Sequence, residues 1–510
     1  MARRNHPDPA RQAVPAAAAP SGILPWLPSP LALGLTVIGL VVVFRALAGG
    51  LDPDGWWHVA TGRYIVANGL PTSDPFSFTW GGRPWTPPEW SAELLMYELI
   101  TTVGTAGAAV AFGLVAVLQL GMTAVLLRRL GIRAATVIAT SFLGGWVLLS
   151  FVTVRPQVIC WCFLAGLVWI LCRLDARRPG RVLVLVPLFA IWANVQGLWV
   201  VGLGVIGVYL VFTLAGRTPL AGSKGWAIAG MAGATLAVMA TPAGPANLVY
   251  PLVFVQPGAW GLANILEWQS PDFHAPENWA FLVFVMASIA FGLRHAPAWL
   301  TVVGTIGLSL GLLSARSEPV GVALASVPLA LGLDTALRGL ERRWVADARD
   351  ALPRRLMEMT LAVSLVVVAG LVLLPASPLH RSLQPLARAT TPFPVAAVDR
   401  LATIAPAAQV LAYYDWGGYV IDRLYLTGGR VFIDSRADMY PTRILDDYLA
   451  IQDAAPGWPG LVASYGVQAM LLRPWDPVAS GPAVAAGWCE AYRDAGSVLL
   501  LPHCPGTSTG

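Results

Sequence analysis

Apolar residues in this chain run in long blocks separated by short polar connectors. Eleven such blocks fall near 30–49, 103–127, 134–152, 156–172, 181–194, 197–215, 225–241, 278–293, 298–314, 318–336 and 358–376. A helix needs about 20 predominantly apolar residues to cross about 30 Å of hydrocarbon, so the pattern predicts a polytopic α-helical membrane protein of about eleven spans. The fifth and sixth blocks are short and share the junction WANVQG (192–197), as a tight hairpin or a broken pair would, with Asn194 and Gln196 near the external surface. The alternating period of a transmembrane barrel is missing, and no internal repeat recurs at a fixed spacing.

The pattern changes at both ends. Residues 1–29 are basic and rich in Ala and Pro and read as a disordered cytoplasmic N-terminus. The apolar run behind them carries no small-residue cleavage site and reads as a retained first helix. Past residue 376, strand-like runs (RVFID, 430–434; VQAMLLR, 467–473) alternate with helix-like ones (392–403, 441–452). This predicts a small α/β domain over 377–510, after a membrane domain over 30–376.

Composition supports lipid as the main solvent. Of 510 residues, 56% are hydrophobic and 12% charged, against about 25% charged in a soluble domain. The net charge of +5 is no nucleic-acid signal, because the basic residues sit in short connectors. With the N-terminus inside, the cytoplasmic segments hold nineteen Arg and Lys, and the opposite loops hold only Arg63, Arg83, Arg155 and Arg316. The positive-inside rule then puts the long first loop (50–100) and residues 377–510 on the external side. Cys160, Cys162 and Cys172 lie in one apolar stretch, as small hydrophobes. Cys489 and Cys504, in an oxidising compartment, are expected to form a disulfide worth about 3 kcal/mol.

The external loops carry the unusual chemistry. The first contains DPDGWWHVATGRYIVANG (52–69) and then PTSDPFSFTWGGRPWTPPEWSAELLMYEL (71–99). Residues 56–67 read as an amphipathic interfacial helix, with Trp56, Trp57, Tyr64 and Ile65 toward lipid or protein. Asp52 and Asp54 flank Pro53 at the bilayer edge, and His58 follows one helical turn after Asp54. Two carboxylates so placed can hold a divalent cation such as Mg or Mn, or act as a base and a cation ligand. The alternative is helix N-capping by Asp54 with Asp52 solvated. Glu89 adds a carboxylate before the membrane re-entry. Arg155 (in VRPQ, 154–157), Glu267 (in ILEWQSPDFH, 265–274) and Arg316 (in SARSEP, 314–319) sit at span ends, where Arg forks suit a lipid phosphate. In YYDWGGYVIDRLY (413–425), two glycines after an aromatic–Asp–Trp run suggest a strand-to-helix turn, with Asp415 cradled by backbone amides and offered to a ligand.

In this order these residues resemble the GT-C superfamily of membrane glycosyltransferases, and within it the oligosaccharyltransferase catalytic subunit. DPDGWWHVATGRYIVANG stands where that family has an acidic first-loop stretch, and YYDWGGY with VFIDSR stands where it has a Trp-Trp-Asp-Tyr-Gly motif followed by an Asp-Asn-Asn segment. Glu267 matches a late-loop Glu that helps hold acceptor and metal, and Arg316 an Arg that contacts lipid phosphate. The chain departs from that family at 154–157, where VRPQ replaces a second Asp-x-Asp. The first-loop acid also fits the protein O-mannosyltransferase and aminoarabinose-transferase branches, which use a carboxylate base without an obligatory metal. The chain looks, too, like a group of uncharacterised bacterial membrane proteins related to these.

The resemblance implies transfer of a sugar from a polyprenyl-phosphate-linked donor to a glycan, lipid or protein acceptor, at the outer face of a bacterial cytoplasmic (inner) membrane. Asp52 or Asp54 would be the base. Arg155, Arg316 and His58 would hold the donor phosphate. Glu89, Glu267 and Asp415 would assist the acceptor or a metal bound by Asp52, Asp54 and Glu267. Transfer of a preassembled glycan is the second reading, and a transporter or assembly scaffold the third.

Overall fold

A computed structural model describes residues 29–251, 260–347, 359–360, 362–364, 366, 370 and 393–503. Most of the expected N-terminal segment and eleventh span, the boundary at 377, and Cys504 lie outside them. Cys489 is disulfide-bonded.

The molecule is mostly helical, with a small sheet near its C-terminus. The apolar blocks form α1 (Pro30–Gly49), α3 (Trp90–Arg129), α4 (Ala134–Leu148), α5 (Pro156–Arg173), α6 (Leu185–Val195), α7 (Trp199–Leu214) and α8 (Lys224–Ala237). Between α1 and α3 lies α2 (Pro53–Asn68). After a short α9 (Trp260–Asn264) come α10 (Trp279–Phe291), α11 (Ala298–Leu313) and α12 (Glu318–Asp347). Each of the first ten expected blocks contains a helix, but by length and composition four helices among the described residues are long and apolar enough to cross a membrane: Pro30–Gly49, Trp90–Arg129, Pro156–Arg173 and Ala315–Gly339. Five others are shorter apolar helices. Helix length alone therefore does not establish eleven crossings.

Two departures from the expected boundaries shape the site. Helix α4 stops at Leu148, so residues 149–155 turn and deliver Thr153 and Arg155 to the end of the helical layer. Helix α3 begins at Trp90, well before the expected span. It is bent at Gly104, whose φ of 74° is open to glycine without steric penalty. The segment ahead of the bend lies along α2. Elsewhere small residues let helices meet closely: a Cβ on Gly311 would fall 2.2 Å from the Phe281 ring, and one on Gly307 2.9 Å from Leu324.

The C-terminal domain is a five-stranded sheet with helices on both faces. Its strands are β1 (Gln409–Ala412), β2 (Arg430–Val431), β3 (Ala469–Leu472), β4 (Cys489–Arg493) and β5 (Val498–Leu501), in the order β2-β1-β3-β5-β4. β1 runs parallel to β2 and β3, and β5 antiparallel to β3 and β4. Alternate strand residues face opposite sides. Val410, Ala469 and Leu471 pack beneath α13 (Val395–Ile404) and α14 (Gly417–Leu424). Leu411, Met470 and Leu472 pack against α15 (Thr442–Gln452) and α16 (Trp458–Tyr465).

The long first loop is part of this domain's structure. Phe76 and Phe78 bond to Val431 through the backbone, at 3.1 and 3.0 Å, and so extend the sheet edge. The aromatic face of α2 packs onto protein: Trp56 meets Phe393 and Tyr419, and Tyr64 meets Tyr425. Gly418 makes this approach possible, since a Cβ there would lie 2.7 Å from the Pro53 carbonyl. Arg436 clamps the two parts together. It bonds to Asp434 through Nε and NH2 and to Asp74 through NH1 at 2.9 Å, with all three side chains essentially sealed from solvent. The Trp85 ring covers its guanidinium at 4.4 Å. Removing one partner of a buried ion pair leaves uncompensated charge and costs about 3–5 kcal/mol. Arg436→Ala should therefore lower the thermal midpoint of the detergent-solubilised protein and open the 70–90 segment to protease. A wild-type melting curve would show that the clamp contributes nothing.

Candidate functional site

The predicted residues arrive from four separate elements. Asp52 and Asp54 begin α2. Arg155 precedes α5, Glu267 lies in a single turn (Leu266–Trp268), and Arg316 lies in the turn Ala315–Ser317 that leads into α12. The last two turns are tied together: Ala315 N–H donates to the Gln269 carbonyl at 2.9 Å, and Ser314 Oγ–H to the Glu267 carbonyl at 3.0 Å.

Arg155 is the hub. Its Nε reaches Asp52 Oδ2 at 2.6 Å, its NH2 meets Asp54 Oδ2, and its NH1 bonds to both oxygens of Glu267, at 2.8 and 3.0 Å. A planar fork with fixed donors suits this three-way contact, which a lysine ammonium would not reproduce. Asp52 is further committed, because Oδ1 accepts from Gly55 N–H at 2.9 Å and Oδ2 from Thr153 Oγ1–H at 2.9 Å. The N-cap of α2 is thus Asp52, not Asp54. Arg316 is less engaged. Its Nε donates to Gln157 at 3.0 Å, its NH1 stands 3.9 Å from Glu267, and its guanidinium lies over Trp268.

These contacts separate the carboxyl groups electrically. Burial, partly offset by Arg155, pushes Asp52 up to about 6. Burial opposes charge on Asp54 as well, but Arg155 and Arg316 outweigh it and hold its pKa below the usual value. Asp415, in the turn Tyr414–Trp416 after β1, is raised to about 6 by burial and then by Asp54. The strand-to-helix turn is as expected, but the Tyr413 hydroxyl favours the Asp415 charge in place of the expected backbone amides.

His58 and Glu89 join from another side. The ring of His58 lies between Glu89 Oε2, 3.4 Å from Nε2, and Glu93 Oε1, 3.2 Å from Nδ1. Burial, with the cations Arg155, Arg316 and Arg436, lowers His58 to about 3, although Asp54 opposes the shift. A neutral, enclosed imidazole brings no charge of its own to the site. Burial raises Glu89 to about 8.

The three carboxylates expected to hold a metal do converge, but on the guanidinium of Arg155. Both oxygens of Asp52 and of Glu267 and one of Asp54 are already bonded. Among the described residues no group of three His, Cys, Asp or Glu is arranged to hold a metal ion. As assembled, these residues do not fit a divalent cation.

Sequence reasoning missed Thr153, Gln157, Glu93 and the pair in which Tyr250 O–H donates to Asp438 at 2.7 Å. Glu93 was within reach of it, standing four residues after Glu89 and hence on the same helix face. Asn194 is structural: it accepts from Trp90 Nε1–H at 2.7 Å and donates to the carbonyls of Ala190 and Ala240.

A helical body of apolar helices, a first loop bearing acids, and a small α/β domain packed on that loop make up a fold that recurs among solved structures. Among solved structures, the oligosaccharyltransferase of Archaeoglobus fulgidus in its apo form is similar over 94% of this chain and 75% of its own, with a TM-score of 0.60 and 13% identity. The archaeal oligosaccharyltransferase AglB from Archaeoglobus fulgidus, in complex with an inhibitory peptide and a dolichol-phosphate, is similar over the same shares, with a TM-score of 0.57 and 13% identity. ArnT from Cupriavidus metallidurans bound to undecaprenyl phosphate aligns over 92% of this chain and 97% of its own, at 15% identity and a TM-score of 0.45. No protein-family model matches the chain, and no curated protein matches it in sequence.

The raised pKa of Asp52 has a consequence for stability. A carboxyl whose folded pKa lies above its unfolded one contributes stability at low pH, and that contribution is lost as pH rises through the folded value. For Asp52 the loss falls between about pH 4 and about pH 6. Asn also caps helices well. Asp52→Asn should therefore show a shallower fall of thermal midpoint across that interval than wild type. Parallel curves would remove Asp52 from the account.

Proposed function

We propose that this chain is an inverting glycosyltransferase. It moves a sugar from a polyprenyl-phosphate-linked donor to a hydroxyl-bearing envelope acceptor at the outer face of the cytoplasmic membrane. The observation that carries this reading is the convergence of Asp52, Asp54 and Glu267 on Arg155, with Arg316 at the edge of the cluster. The GT-C fold agrees with it.

The geometry favours one assignment among the candidates. Asp52 has both oxygens committed and positions Arg155. Asp54 is held ionised and is the base: it takes the acceptor proton as the acceptor oxygen attacks the anomeric carbon and the carbon–oxygen bond to phosphate breaks. Arg155 is saturated by carboxylates, so Arg316 is the cation that receives the leaving phosphate, whose negative charge grows in the transition state. Glu267 contacts both arginines and couples the two halves of the site.

Asp54→Asn in the native host should reduce the transferred glycan by about 10²-fold or more, with the protein at normal level in the membrane. An unchanged envelope glycan profile at normal protein level would end this reading. Arg316→Met removes a charge-assisted contact worth about 1.5–3 kcal/mol. It should chiefly raise the KM for the prenyl-phosphate donor, and an unaltered KM would move the phosphate elsewhere.

A further inference from the structure

Helices α2 and α3 enclose a second titratable unit that the reaction above does not use. His58 projects from α2 one turn after Asp54, and Glu89 and Glu93 stand one turn apart at the start of α3. The ring touches both carboxyls, and Glu93 is fully buried with its Oε2 unpartnered. An unpartnered, solvent-free carboxylate oxygen is strongly unfavourable, so Glu93 keeps its proton.

Proton accounting then orders the row. A neutral imidazole has one N–H and one bare nitrogen. The arrangement that strands no buried hydroxyl on Oε2 has the Glu93 hydroxyl on Oε1 donating to Nδ1, 3.2 Å away. Nε2–H is thereby directed toward Glu89 Oε2, 3.4 Å away. The other oxygen of Glu89, Oε1, is left to carry that residue's own proton. Glu89 is the one carboxyl of the row not sealed off, with 14% of its side chain exposed against none for Glu93.

We propose that Glu89 is the general acid of the transfer reaction, with His58 and Glu93 as the positioning residues that hold its proton on the oxygen facing the donor phosphate. The proposal rests on the glycosyl-transfer reading. In the balanced step, the acceptor O–H proton passes to Asp54 while the acceptor oxygen bonds to the anomeric carbon. The carbon–oxygen bond to phosphate breaks with its electron pair on the phosphate oxygen. That oxygen takes the proton of Glu89, and the Glu89 carboxylate is then stabilised by Nε2–H of His58. A proton returning from Asp54 to Glu89 resets the site.

The surroundings favour this division of labour. The charged and titratable groups that act on Glu89 are His58 and Asp54 from α2, Glu93 on its own helix, Cys160 from α5, Arg155 and Arg316, and Asp438 and Tyr250. Burial is the largest influence and, with Asp54 and Asp438, outweighs the two arginines, so Glu89 stays protonated up to about pH 8. Asp54, a short way along the same site, is pushed the opposite way. Two carboxyls driven apart by their environments mark an acid and a base.

Infrared spectroscopy of the purified full-length protein in detergent reads the proton without needing a substrate. The difference spectrum of wild type minus Glu89→Gln should contain a protonated-carboxyl C=O component that shifts in D2O and disappears near pH 8. The component should survive in Asp54→Asn and Glu89→Asp. A flat difference spectrum overturns the proposal. In the native host, Glu89→Gln should lower the transferred glycan about 10²-fold, and Glu89→Asp should restore part of it. If Asp54→Asn abolishes transfer while Glu89→Gln matches wild type, the acid role fails and the glycosyl-transfer reading stands. If Asp54→Asn has no effect, that reading fails and the acid role fails with it.

Discussion

The guanidinium of Arg155 is the interaction on which the rest of the site depends. Three carboxylates gathered around one point repel strongly in a partly desolvated site, and a cation with several directed donors holds them together. Arg155 binds the start of α2, the beginning of α5 and the turn at Glu267 into one object. Its position follows from the early end of α4, whose last residues unwind so that Thr153 and Arg155 meet Asp52.

A second buried arginine makes the site a two-domain structure. Arg436 joins Asp74 of the first loop to Asp434 of the sheet domain under an aromatic lid. With the backbone bonds between 76–78 and Val431, it turns a loop of about forty residues into part of a folded domain. This places α2 between sheet and helical layer, with Asp52 and Asp54 at one end and Tyr64 against Tyr425. A lipid-lying helix would have left its aromatics in the headgroup region. Here they are spent on protein contacts.

The same packing explains why chemically equal groups behave differently. Asp54 is bonded directly to Arg155, and there the arginines outweigh burial, whereas at Glu89 burial outweighs the same two arginines. The sequence contains several loop carboxylates of similar appearance. Their separation into ionised and protonated members arises from which helix faces which.

What the sequence alone determined follows from local and one-dimensional physics. Apolar blocks must be helical in lipid because each backbone group has to be satisfied within its own segment. The rarity of arginine in one set of loops drew attention to Arg155 and Arg316, and the two glycines after Trp416 marked a close approach. Residue type and order thus exposed Asp52, Asp54, Arg155, Glu267, Arg316 and Asp415. Tertiary structure decided what they touch. Nothing in the spacing of DPD revealed that the first acid caps the helix and the second remains available, since that depends on Thr153 arriving from a turn a hundred residues away. Nor could it place a guanidinium where a metal was expected. Glu93 read as an ordinary helix residue, and His58 as a ligand of the donor phosphate, until α2 and α3 packed side by side and enclosed them. Ionisation and pairing are properties of three-dimensional neighbourhood, and those neighbours are far apart along the chain.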